Sequence, residues 1–254
     1  MLKSATDLHW NERAIVEQDT TAVNIADVTQ RELETEFLRK HIKSTDKVLE
    51  VGCGNGFLTN TLREIADHVD AFDYAENMVE QAKSLYGEKN NRFFHDNLLA
   101  PTHWDNEYDL IVCVRVLINL RNIEEQFTAV QNMAKALKKG GKLILIEGYI
   151  DGFIALNELR SAIGLEALTP APINYYSKLD DMKKKLMEYF VVKDTFHTGS
   201  FDFLTRVVYP CLVGAENATG HSDFHTKIRN LAFNYNPDAF SNLARLQGLL
   251  LEKI

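Results

Sequence analysis

Apolar residues first fall into a helical rhythm at Leu33, Phe37, Leu38 and Ile42. Thr29-Gln30-Arg31-Glu32, just ahead of them, has the spacing of a capping box. An amphipathic helix laid against a core is expected there. Beyond it the pattern becomes short β-like apolar runs, at Val48 to Val51, Val69 to Phe72, Arg92 to His95, Leu110 to Val114 and Lys142 to Ile146, separated by helix-like segments. Such alternation predicts an α/β fold, a mostly parallel sheet with helices on both faces. The helical stretch Ile123 to Leu137 runs into Lys138-Lys139-Gly140-Gly141, which reads as basic residues at the negative end of the helix dipole followed by a glycine stop. After Glu147 the alternation weakens, and Leu168 to Ile173, with Pro170 and Pro172, reads as a connection. Phe190 to Phe196 and Leu246 to Leu251 could complete the sheet, with a segment of roughly fifty residues between them, too long for a hairpin turn. That segment is a candidate lid or substrate cap.

Composition changes this picture little. The 254 residues are 45% hydrophobic and 25% charged, ordinary values for a globular protein, and no apolar stretch reaches the length of a membrane span. The first twenty residues carry no apolar core of signal-peptide type, so a cytoplasmic location is expected. Cys53, Cys113 and Cys211 are odd in number and scattered, which suits reduced thiols and no metal site. The net charge of -8 disfavours a phosphate backbone as partner, so a small-molecule acceptor is expected and nucleic acid and membrane are not.

The chemistry concentrates where Val48-Leu49-Glu50-Val51 runs into Gly52-Cys53-Gly54-Asn55-Gly56. In open α/β sheets, ligands bind beyond the carboxyl ends of the strands, and glycines in the first such turn permit positive φ and close approach to the backbone. A dinucleotide fingerprint would place its third glycine one position later, where this chain has Phe57. Glu50 adds a carboxylate two residues before the first glycine. Both features disfavour a pyrophosphate and suit a ligand with a cationic end.

The run from Val48 to Gly56 resembles the first motif of class I S-adenosylmethionine-dependent methyltransferases, hydrophobic-acid-hydrophobic-G-x-G-x-G. Asp73-Tyr74-Ala75-Glu76-Asn77-Met78 resembles the segment that follows the second strand in that family, and His95-Asp96-Asn97-Leu98 the segment after the third. The resemblance covers about Glu34 to Gly148. It implies a Rossmann-like sheet and S-adenosyl-L-methionine as cofactor. It assigns Glu50, Gly52, Cys53, Gly54 and Gly56 to the cofactor loop, Asp73 to the ribose hydroxyls and Tyr74 and Met78 to the adenine face. Asp96, Asn97 and Leu98 are implied beside the adenine amine, with Val114 at the end of the fourth strand. Lys138 or Lys139 stands where the family's Leu-x-Pro-Gly-Gly turn has proline.

On this reading the whole chain, 1–254, is one methyltransferase domain with an N-terminal helical lid (1–45), a cofactor-binding core (46–150) and acceptor-side additions (151–188 and 197–244). Methyl transfer is an in-line displacement in which positioning dominates and a dedicated base is optional. Arg115, Asn119, Glu147 and Tyr149 follow strands four and five and are candidates for acceptor contact, as are His9, Trp10 and Arg13 if the N-terminal segment folds over the site. Arg115 and Glu147, with His221 and His225 of the insertion as possible bases, are the catalytic candidates. His221 and His225, four apart, share a face if helical and with Asp223 could meet one metal or one acceptor hydroxyl, though an ordinary surface loop suits them too. If Arg206, His221, His225 and Arg229 converge, the acceptor is anionic, and O-methylation of a sugar-like or phosphate- or carboxylate-bearing metabolite follows. N-methylation, a non-catalytic cofactor-binding module and a nucleotide-dependent oxidoreductase remain as alternatives.

Overall fold

The computed structural model of the chain describes residues 5–16, 27–87, 92–100 and 103–254. Its strands are β1 (Lys47–Val51), β2 (His68–Asp73), β3 (Arg92–His95), β4 (Tyr108–Val114), β5 (Leu137–Gly148), β6 (Phe190–His197) and β7 (Leu246–Lys253). They form one seven-stranded sheet in the order β3-β2-β1-β4-β5-β7-β6. β7 runs antiparallel to both its neighbours, while the pairs from β3 across to β5 are parallel.

Side chains alternate across the pleat, so one strand feeds two cores. Leu49, Val51, Ile111, Cys113, Leu143 and Leu145 pack on one face against Ala129, Val130 and Met133 of α5 (Ile123–Ala136). Val48, Leu110, Val112, Ile144 and Ile146 pack on the other against Phe37 and Leu38 of α2 (Val28–His41) and Leu62 of α3 (Phe57–Leu62). Both faces being covered explains why the strands read as continuous apolar runs.

Two local expectations are corrected. The cap of α2 is Asp27, whose carboxylate accepts the Gln30 N–H at 3.0 Å, and Thr29 is buried inside the helix. The Lys138 to Gly141 segment is not a helix stop followed by a strand. Leu137 is already extended (φ -75, ψ 141), and β5 starts there, with the register shifting between Tyr108 and Leu110. Gly140 sits in this bulge at φ +72, where a left-handed residue keeps the strand running.

The long connection between β6 and β7 folds as a wall. A helical run from α8 (Gly199–Phe203) passes through one π-helical turn (Leu204–Val208) into α9 (Tyr209–Val213), and α10 (Asp223–Asn234) follows. Phe201 and Ala232 close on Leu33, which fixes this wall to α2. Elsewhere α1 (Ala5–Val16) lies on α4 (Glu76–Tyr86), α6 (Ile150–Ala162) leaves the end of β5, and α7 (Leu179–Leu186) precedes β6. No helix among the described residues is long and apolar enough to cross a membrane.

Gly152 of α6 packs tightly on the segment that leads into β7. A Cβ there would lie 1.9 Å from the Ala244 carbonyl oxygen. Gly152→Ala is therefore expected to cost about 1–3 kcal/mol of stability, as overpacking does. Gly220→Ala, with no atom within 4 Å of the added carbon, should change stability by less than about 0.5 kcal/mol. Urea unfolding of both variants checks this, and equal midpoints would contradict it.

Candidate active site

The chain passes outward from β1 to β2 and β3, then returns to place β4 on the other side of β1. This reversal opens a crevice beyond the carboxyl ends of β1 and β4. The turn after β1 is shaped by three left-handed glycines, Gly52 (φ +69), Gly54 (φ +52) and Gly56 (φ +81). Cys53 N–H donates to the Phe72 carbonyl at 2.9 Å, and Gly54 N–H donates to an Asp73 carboxylate oxygen at 2.8 Å. The other Asp73 oxygen accepts from Ala75 N–H at 2.8 Å, so the carboxylate ties the first turn to the second. Burial raises the Asp73 pKa despite these bonds. Glu50 is buried beneath α3 and accepts the Thr59 hydroxyl at 2.5 Å; burial pushes its pKa up to about 8.

The second turn is built on Glu147. Its carboxylate is buried and accepts the N–H groups of Val116 and Leu117 at 2.7 Å and of Ile118 at 3.4 Å. Burial pushes its pKa up to about 7 in spite of them. This arrangement holds Arg115 at φ +56, a conformation few side chains adopt. Arg115 N–H donates to Ile146 at 2.8 Å, and its carbonyl accepts from the Asn119 amide at 2.9 Å. Val116 is thereby set against Gly52, where a Cβ would meet its methyl at 2.5 Å.

One cavity of about 650 Å³ opens over both turns, within the ~300–1,000 Å³ of small-ligand sites. Glu50, Gly52, Cys53, Gly54, Asp73, Tyr74, Met78, Asn97, Leu98 and Val114 line its first half. Trp10 of α1 covers them, its indole N–H donating to Asn119 at 3.0 Å, while Asn11 holds the start of α4 through Asn77. The second half runs along the polar face of α2. Its cations come from distant segments: Arg115 stands 3.6 Å from Glu34, Arg245 reaches Gln30 at 3.3 Å, and Arg206 stands 3.6 Å from Asp27.

Several candidates stand elsewhere. Asp96 does not line this cavity; its carboxylate accepts the Asn97 N–H at 2.7 Å and borders a small void beside Trp104. Gly56 caps α3 and permits close packing on Ala82, Phe93 and Tyr86, away from the cavity. Glu147 is withdrawn as an acceptor contact, because its oxygens are spent on three backbone N–H groups. Tyr149 is buried in the core beneath the sheet. His225 is buried on α10 with Ser222 at 2.9 Å, and His221 lies on the exposed turn before it, so neither histidine reaches the cavity. Arg229 pairs with Glu32 at 2.7 Å, leaving Arg206 alone of the four proposed converging groups in the cavity wall. His9 and Arg13 do not line the cavity either.

Arg245, Asp27, Gln30 and Glu34 were not anticipated from the sequence. Their signal was the polar spacing at 27, 30 and 34 on the buried face of an otherwise apolar helical pattern.

A methyltransferase-domain family matches residues 48–141, the segment that supplies both turns and most of the cavity's first half. Residues 48–141 carry a methyltransferase domain. A demethylmenaquinone methyltransferase of Staphylococcus haemolyticus is 30% identical to this chain over 111 residues, 42% of the chain and 45% of the relative. A ubiquinone biosynthesis O-methyltransferase of Hydrogenovibrio crunogenus is 26% identical over 113 residues, 43% and 46% of the two. The chain thus spans about half the length of the curated relatives it matches. The N-methyltransferase NodS of Bradyrhizobium japonicum, solved with S-adenosyl-L-homocysteine, shares the fold at 17% identity, with a TM-score of 0.59 over 98% of each chain.

Glu147→Gln would replace one acceptor oxygen with an amide that faces backbone donors. The variant is expected to lose about 1–3 kcal/mol, the cost of buried donors left unsatisfied. Chemical denaturation checks it, and an unchanged midpoint would remove Glu147 as the organiser of this turn.

Proposed function

We propose that the methyltransferase transfers a methyl group from S-adenosyl-L-methionine to a small polar acceptor enclosed in the cavity, by O-methylation of a sugar-like or anionic metabolite. One observation carries the reading: the glycine-turn half and the arginine-lined half are a single continuous cavity. The cofactor fits the first half, where a buried carboxyl, left-handed glycines and a second buried acid meet. Glu50 would face its ammonium, Asp73 its ribose hydroxyls, and Tyr74, Met78, Asn97, Leu98 and Val114 would flank the adenosine. When bound, it supplies a methyl group on a positively charged sulfur. Residues 1–45 and the additions at 151–188 and 197–244 would enclose it and the acceptor, keeping water out.

Arg115 and Asn119 stand where the two halves meet, and they would position the acceptor. No histidine lines the cavity among the described residues, so a hydroxyl acceptor would give its proton to the Glu34 carboxylate on the same wall or to water. The relatives support the methyl donor and leave the acceptor open, since one is named for a menaquinone precursor and another for ubiquinone biosynthesis. The matched segment ends at residue 141, before Arg206 of the insertion and Arg245, just ahead of β7, are reached.

Incubation with methyl-labelled cofactor and a metabolite extract tests the reaction. Label should move into a small-molecule fraction; tight cofactor binding with no transfer would identify a binding module instead.

Glu50 adds a pH signature. Its folded pKa of about 8 lies above the ordinary 4.5, so the folded chain keeps a proton that the unfolded chain loses between those values. Without ligand, stability from this group should therefore fall as pH rises from about 5 to 8. A ligand ammonium favours the ionised carboxyl, so S-adenosylhomocysteine, which carries one, should bind more tightly as pH rises from 6 to 8 and release a proton at pH 7. Glu50→Gln should weaken binding by about tenfold, the scale of one lost charge-assisted hydrogen bond, and flatten the profile. Calorimetry in buffers of different ionisation enthalpy reads both; a flat wild-type profile would remove Glu50 from the cofactor site.

A further inference from the structure

We propose that Arg206 anchors a carboxylate at the far end of the acceptor, about 10 Å along the cavity from Arg115. The proposal rests on the methyl-transfer reading and names the chemistry of its substrate.

The distance comes from α2. Arg206 is matched to Asp27 and Arg115 to Glu34. Those partners are seven residues apart on one helix face, and a rise of 1.5 Å per residue separates them by about 10 Å. Arg115 follows β4 directly and borders the glycine turn through Val116, so it marks the reacting end. Arg206 marks the distal end.

Arg206 has hydrogen-bonding capacity that the protein leaves unused. Its Nε is buried and makes no hydrogen bond, and Asp27 Oδ2, opposite it, is buried without one as well. The pair is 3.6 Å apart, too long for a hydrogen bond of ordinary strength. A buried guanidinium N–H without an acceptor is costly, and the side chain, 20% exposed, lines the cavity where a ligand oxygen can meet the rest of the fork. The side chain is also deliberately placed. It projects from the π-helical turn Leu204–Val208, a distortion common at functional sites, and its own carbonyl is gripped by the Arg160 guanidinium.

Charge favours an anion. Arg206 lies among the guanidiniums of Arg245 and Arg160 and the carboxylates of Asp27 and Asp202, with Glu166 acting on Arg160. Burial lowers the Arg206 pKa to about 10, and an anion at the guanidinium would offset that cost. A carboxylate brings one negative charge to it. A phosphate dianion would set two against Asp27, and a neutral alcohol would offset nothing. A carboxylate also matches the planar guanidinium fork.

The test uses the full chain saturated with S-adenosylhomocysteine. Thermal midpoints are titrated with benzoate against benzyl alcohol, glucuronate against glucose, and inorganic phosphate. Wild type should bind at least one carboxylate tenfold or more tightly than its neutral twin and more tightly than phosphate. Arg206→Met should abolish that preference with S-adenosylhomocysteine affinity intact. Arg206→Lys, which keeps the charge and loses the fork, should reduce it severalfold and decides the matter if the methionine variant does not fold. No carboxylate preference in wild type, phosphate binding as tightly, or a preference unchanged in the variants would overturn the proposal. Failure of the methyl-transfer reading shows separately, as absent S-adenosylhomocysteine binding or absent label transfer.

Discussion

The site depends on one buried carboxylate. β4 ends by turning its chain out of the sheet, which exposes successive N–H groups in a place closed to water, and Glu147 accepts three of them. Unpaired, each would cost on the order of 1–3 kcal/mol. Paired, they let Arg115 persist in a left-handed conformation and let Val116 rest on Gly52. The glycine turn and Arg115 are thus registered against one another by a residue that lines neither half of the cavity. Glu147 reaches this place because β5 pairs with β4 in parallel, which puts the end of one strand beside the turn that leaves the other.

A second constraint is charge in a poorly solvated space. Buried guanidiniums need partners, and α2 supplies them in sequence along one face: Asp27, Gln30 and Glu34. Asp202 completes the set from α8, receiving both the backbone N–H and the side chain of Arg245 at 2.9 and 2.8 Å. This explains why the insertion is fastened to α2 rather than left over the cavity as a loose cover. Leu33 and Phe201 hold the two together apolarly, and the ion pairs set their register.

The parallel sheet and the first half of the cavity were legible in the sequence because their signals are local. Strand, turn and acid lie within a few residues in Val48 to Gly56, and Asp73 closes the next strand. The mistakes also have local causes. Gly140-Gly141 looks like a helix stop, yet Tyr108 and Leu137 pair across the sheet and convert the glycine into a bulge. Asp96 carries the right side chain in the right segment, but it is turned aside by its own backbone turn, and Asn97 takes its place at the cavity. His221 and His225 suggest a cluster by spacing alone, whereas α10 packs on α2 and encloses His225.

The second half of the cavity was illegible for a structural reason. Its cations are contributed singly by the turn after β4, the π-helical turn and the residue before β7, so no segment contains two of them as neighbours in a motif. Only the fold brings Arg115, Arg206 and Arg245 onto one wall. What the sequence did show was polarity out of place: a glutamine and a glutamate on the apolar stripe of α2, where leucine or alanine would pack. Buried polar residues of this kind must be satisfied by something, and here the satisfying groups are the arginines that face the cavity. An unexplained polar position inside a hydrophobic period is therefore the better guide to a ligand wall than a cluster of reactive side chains on a loop.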